Sequence, residues 1–187
     1  MNYYFNHNTF ASHYKTAEFL FKNAKVSNEG QFYNLVSCIS FCAFSLEAYI
    51  NHQGFIEQNE EWEEWDSNNH PCFKTKIKRL SELIGFNVNF NSDAFTIITP
   101  LFQFRDIIVH GRTEQVVKRV KKTQNNTRGA MLNLSSEIDK FCTLKNAELI
   151  LKSTRIIIEK FNEKSNFKIE RCRLFSLGNG SLSVKRI

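Results

Sequence analysis

The sequence predicts an all-α fold, a helical bundle with long antiparallel helices and a small C-terminal β-hairpin. Two prolines and seven glycines punctuate 187 residues, too few breaks for a many-turned sandwich. Apolar residues recur at helical spacing through most of the chain, and only the last twenty or so residues change pattern. This length favours one domain with a continuous core. The chain therefore divides into a bundle over 1–166 and a hairpin tail over 167–187, packed on the same domain. With 42% hydrophobic and 24% charged residues, general disorder is excluded.

The first helix is expected over 9–25, where Phe10, Tyr14, Ala17, Phe21 and Ala24 form a stripe. Asn28 followed by Gln31 suggests a capping box opening a second helix over 29–52. That helix is apolar over most of its circumference and should be the central element, with Gly54 ending or kinking it. The acidic segment that follows (Glu57, Glu60, Glu61, Glu63, Glu64 and Asp66) is a helical extension or a loop. Its Trp62 and Trp65 are either a folded-back apolar edge or a protein-binding patch. A shorter helix over 73–84 points Ile77, Leu80 and Ile84 inward, and Lys74, Lys76, Lys78 and Arg79 mostly outward. Ser92 caps a helix running through Ile108, with Pro100 kinking it or opening a new first turn and Gly111 supplying a left-handed stop. A polar, basic loop precedes a last long helix over 136–164, which Ser135-Ser136 caps. The tail reaches Gly178-Asn179-Gly180 and then alternates, a hairpin signal. Eighteen phenylalanines point to a Phe-packed core.

Five cysteines without a CxxC pair indicate reduced thiols, and the N-terminus carries no signal-peptide pattern, so the expected location is cytoplasmic. The most apolar run, 35–50, is interrupted by serines and Glu47, so no membrane span is expected. His7, His13, His52 and His70 are isolated, and no glycine-rich phosphate loop occurs, so neither metal nor cofactor is expected. The formal charge is +6 and unevenly spread. The acidic segment contrasts with Arg112, Lys118, Arg119, Lys121, Lys122 and Arg128, a footprint suited to a polyanion.

The stretch with the chemistry is Phe104-Arg105-Asp106-Ile107-Ile108-Val109-His110-Gly111. Five helical steps turn about 140°, so Arg105 and His110 share no stripe of an ideal helix. They converge only if His110 sits in a fraying last turn at Gly111. A guanidinium holds phosphate oxygens bidentately, and an imidazole exchanges protons near neutral pH. Together they can cleave RNA without metal: the 2′-hydroxyl attacks, His110 moves a proton, and Arg105 steadies the developing charge. The structural alternative pairs Arg105 with Asp106 or Glu47 and leaves His110 capping a helix.

This stretch resembles the R-x4–6-H signature of HEPN domains, in which a polar residue often follows the arginine. Phe44-Ser45-Leu46-Glu47-Ala48-Tyr49-Ile50-Asn51 resembles the preceding helix of many such domains, with a glutamate one turn before an asparagine. The resemblance covers 9–161 and departs at Asp106, where asparagine is usual. It implies a helical bundle that dimerises through the motif face, so that two motifs meet in one cleft. It further implies a metal-independent endoribonuclease of toxin–antitoxin or antiviral defence systems, or else a module that has lost catalysis and binds RNA or protein. On this resemblance Arg105 and His110 are the catalytic pair, Asp106 orients one of them, and Glu47 is a supporting acid. Arg112, Lys118, Arg119, Lys121, Lys122 and Arg128 line the RNA path. The implied partners are RNA, a second copy of the chain, and an antitoxin or immunity protein. A further reading is an unrelated helical interaction protein that contacts its partner through Trp62 and Trp65.

Overall fold

Alanines set how the first two helices meet. In a computed structural model describing residues 2–111 and 136–183 (backbone alone for 2–7 and 178–183), helix α1 is Thr9–Val26 and α2 is Gln31–Gln58. Ala11, Ala17 and Ala24 of α1 are wholly buried, so the two backbones approach closely, and Ser45 Oγ donates across the gap to the Phe10 carbonyl at 2.8 Å. The expected capping box at Asn28 does not form. Gly30 opens α2 in the left-handed region at φ 68°, and the Gln31 side chain instead donates from Nε2 to the Ala24 carbonyl at 2.8 Å.

By length and composition α2 is apolar enough to cross a membrane. Here it is the core helix: α1, α3, α4, α5 and α7 all pack on it, and Cys38, Ile39, Cys42, Ala43, Leu46, Tyr49 and Ile50 are fully buried. Gly54 neither ends nor kinks α2. Its missing Cβ makes room for the Trp62 ring, whose atoms lie 2.2 Å from where that carbon would stand. The chain turns at Asn59 (φ 53°) and folds back as α3, Glu60–Asn69. Trp62 is buried against α2, Trp65 packs on it at 5.2 Å, and the Arg79 guanidinium covers Trp65 at 4.3 Å. The tryptophans thus form a folded-back apolar edge.

Helix α4 is Phe73–Leu83. A short 3-10 turn, Asp93–Ile97, leads into α5, Ile98–His110. Pro100 sits in the first turn of α5, where its missing N–H is not needed, and Gly111 closes the helix at φ 57°. The expected single helix over 136–164 is two: α6, Glu137–Phe141, and α7, Leu144–Lys164. The break follows from capping chemistry. Ser136 and Asp139 form a reciprocal capping box, and Thr143 then caps a new helix by accepting from the Asn146 amide at 3.2 Å. Phe161 of α7 is fully buried, and the half-buried Phe86 meets it edge-on at 5.2 Å.

The predicted C-terminal hairpin is absent. Gly178-Asn179-Gly180 is not a turn but the start of a strand, β2 (Gly178–Ser183), which pairs antiparallel with β1 (Asn2–His7) at the other end of the chain. The residues meant to form the first hairpin strand take other partners. Asn162 uses both halves of its amide on the backbone of Ile169, at 2.8 and 2.9 Å. Leu174 is buried, and Phe175 packs on Tyr14 at 4.7 Å. A sequence signal for a strand is local, but its partner here lies about a full chain away, so alternation alone pointed to the wrong mate.

Candidate functional site

Helix α5 buries Ile98, Leu101, Phe102 and Phe104. That inward face fixes Arg105 at the margin, where the structure gives it a partner on each terminal nitrogen. Nη2 donates to Glu47 Oε2 of α2 at 3.0 Å, and Nη1 donates to Oδ1 of the adjacent Asp106 at 2.9 Å. The Arg105 side chain is 21% exposed, against 30% for Glu47 and 56% for Asp106. The guanidinium lies 5.2 Å over the Phe102 ring, and Phe102 is stacked face to face on Phe73 at 3.7 Å. Arg105 Nε is buried and has no partner among the described residues.

Arg105 thus stands at the edge of a cleft of about 610 Å³, bounded by α2, α3, α4 and α5. Four residues, or one turn, after Glu47, α2 presents Asn51, whose Oδ1 accepts from Lys76 Nζ at 3.1 Å. Lys76 also pairs with Asp66 of α3 at 2.7 Å. Contrary to the outward placement expected from sequence, Lys76 is buried and lines the cleft. It sits three residues after Phe73 and four before Leu80, so it belongs to the inward stripe of α4. The acidic segment is what makes that burial tolerable, since an unpaired ammonium there would be costly. Lys76 and Asp66 are site residues that a motif-based reading misses; a lysine on an apolar stripe next to a carboxylate-rich segment was the available signal. Cys72 also lines the cleft at the start of α4. A hydrogen bond with Thr75 and the backbone amides there hold its thiol below the usual cysteine range.

His110 is not in this cleft. It is the last residue of α5, exposed, and lies in a neighbouring hollow with Gln103, Asp106 and Ile107. These four residues form one stripe of α5, and Arg105 lies off it, as the helical angle requires. Within one chain, therefore, Arg105 and His110 do not converge. Asp106 and Gln103 line both cavities and separate them. The His110 side chain has no hydrogen-bond or ionic partner among the described residues. Arg112, Lys118, Arg119, Lys121, Lys122 and Arg128 lie outside the described residues. Among the described residues, no three His, Cys, Asp or Glu side chains are grouped to hold a metal ion. Comparison with protein-family models, curated proteins and solved structures finds no match for this chain.

Proposed function

We propose that this chain is a metal-independent endoribonuclease of the HEPN type that works as a homodimer. The observation that carries the reading is the state of Arg105: fixed by Glu47 from a second helix, stacked on Phe102, and standing at the mouth of a cleft. A guanidinium held this way is preorganised for a phosphate whose charge grows during reaction. His110 lies exposed on the same half of α5. Two chains meeting along the Gln103, Asp106, Ile107 and His110 stripe would bring the imidazole of one toward the arginine of the other. The 2′-hydroxyl oxygen then attacks phosphorus while an imidazole accepts its proton, and the 5′-oxygen leaves with a proton returned by the imidazolium. The products are a 2′,3′-cyclic phosphate and a 5′-hydroxyl. The basic segment after Gly111 supplies sequence-independent RNA contact. A cytoplasmic toxin or defence role, with an antitoxin or immunity partner, belongs to the same proposal.

Purified protein in EDTA should cut RNA to cyclic-phosphate ends. Arg105→Ala or His110→Ala should lower the rate by roughly 10²-fold or more. A metal requirement, or full activity in His110→Ala, rejects the proposal. One observation favours a second reading, a non-catalytic RNA-binding or protein-interaction module: both terminal nitrogens of Arg105 are already occupied by carboxylates. That reading predicts RNA or partner binding that survives His110→Ala, with no cleavage products.

A further inference from the structure

Successive residues on an α-helix point about 100° apart and do not normally face each other. Asp106 nevertheless folds its carboxylate back onto the preceding residue, accepting from Arg105 Nη1 at 2.9 Å. Of Arg105's two carboxylate partners it is the more exposed, and it belongs to the same helix. Glu47 comes from α2 and ties the guanidinium to the core helix. The two partners therefore differ in kind: Glu47 ties Arg105 to another helix, whereas Asp106 is more than half exposed and holds it only from the neighbouring position. Asp106 is also the acidic residue that lines both the Arg105 cleft and the His110 hollow. A phosphate oxygen that reaches Arg105 Nη1 has to take its place.

We propose that Asp106 is a displaceable stand-in for the substrate phosphate, holding the Arg105 Nη1 position that a phosphodiester oxygen takes on binding. This rests on the reading of Arg105 as the phosphate-binding residue. It makes Asp106 a selectivity device instead of a catalytic group. A ligand takes the Nη1 position only if it offers Arg105 more than the Asp106 carboxylate does. Until then Nη1 keeps an acceptor of its own, beside the Glu47 contact on Nη2.

The test is binding of a 2′-O-methyl oligoribonucleotide, which has no attacking hydroxyl and stays intact, followed by fluorescence anisotropy. Asp106→Asn removes the charge and keeps the shape, and should tighten binding about tenfold. In an Arg105→Ala background the same change should bring less than about a twofold gain, because no guanidinium remains to compete for. Glu148→Gln on α7, outside the cleft, controls for the loss of one negative charge and should alter binding less than about twofold. An equal gain with and without Arg105 would mean a general field effect and overturns the proposal, as does unchanged or weaker binding by Asp106→Asn. If Arg105→Ala also leaves cleavage of unmodified RNA intact, the nuclease reading falls as well. If Arg105→Ala weakens binding but Asp106→Asn brings no gain, the stand-in alone is refuted.

Discussion

Replacing Gly54 with alanine should destabilise the protein although it adds a better helix former. An interior glycine-to-alanine change normally contributes about 1 kcal/mol of stability. Here the new Cβ would lie 2.2 Å from Cδ2 and Cε2 of Trp62 and 2.5 Å from Cζ2. Optimal carbon contacts are about 3.5–4.0 Å, so the ring would have to retreat by more than about 1 Å. It has little room, because Trp62 is only 2% exposed and lies beneath Trp65 and Arg79. Overpacking costs about 1–3 kcal/mol, and expelling the ring approaches the ~3–5 kcal/mol of a Trp→Ala change. The steric term outweighs propensity, leaving a net loss of about 1–3 kcal/mol and a fall in Tm of roughly 3–9 °C for a domain of this size. Thermal unfolding followed by circular dichroism reads the loss, and tryptophan fluorescence should shift red as the ring is displaced. A Tm equal to or above wild type would refute this account of the α2–α3 junction.

The Lys76–Asp66 pair should respond asymmetrically. Asp66→Asn leaves a buried ammonium without its counter-charge and should cost about 2–3 kcal/mol, discounted from the full buried-pair figure because Asp66 is 28% exposed. Lys76→Met removes the buried charge and leaves a carboxylate that water reaches, so it should cost less; urea unfolding with the opposite order would show that burial of the lysine is not what the pair compensates. His52 supplies a pH signature. Burial against Phe10 lowers its pKa from 6.5, so the unfolded chain binds its proton more readily. Stability is therefore full above about pH 6.5 and declines as pH falls through the folded pKa. His52→Gln should flatten the dependence of Tm on pH between 8 and 5, and an unchanged slope counts against it.

The helices with long apolar stripes were legible in the sequence because their packing repeats every turn: α1, α2, α4 and the last helix follow directly from Phe10, Ile39, Ile77 and Ile157 and their neighbours. Gly111 was legible as a stop because its need for positive φ is a property of one residue. What could not be read depends on distant partners. Gly54 looks like a helix breaker until Trp62 is seen filling its notch. Lys76 looks like a solvated charge until Asp66 and Asn51 are seen around it. The strand at Gly178–Ser183 was visible as alternation, but its pairing with Asn2–His7 has no local signature. At the site, both carboxylates named for Arg105 do hold it, whereas its distance in angle from His110 follows from helix geometry and was not relieved by fraying.

The charge of the cleft bears on how such a site could act on RNA at all. Glu47, Glu63, Asp66 and Asp106 face Lys74, Lys76 and Arg105, so the carboxylates of the lining outnumber its lysine and arginine side chains by one. A phosphodiester strand gains no long-range attraction from it. In the sequence, the compensating charge lies in residues 112–128, with six basic side chains against Glu114, directly after the helix end that carries His110. On the nuclease reading, affinity and chemistry are then separate: the basic segment supplies salt-dependent attraction, and the cleft contributes little to holding the ground state. That division favours turnover. Interactions that hold substrate and transition state equally raise affinity without raising kcat. A phosphodiester carries one negative charge and its pentacoordinate transition state approaches two, so an arginine already satisfied by carboxylates responds weakly to the first and strongly to the second.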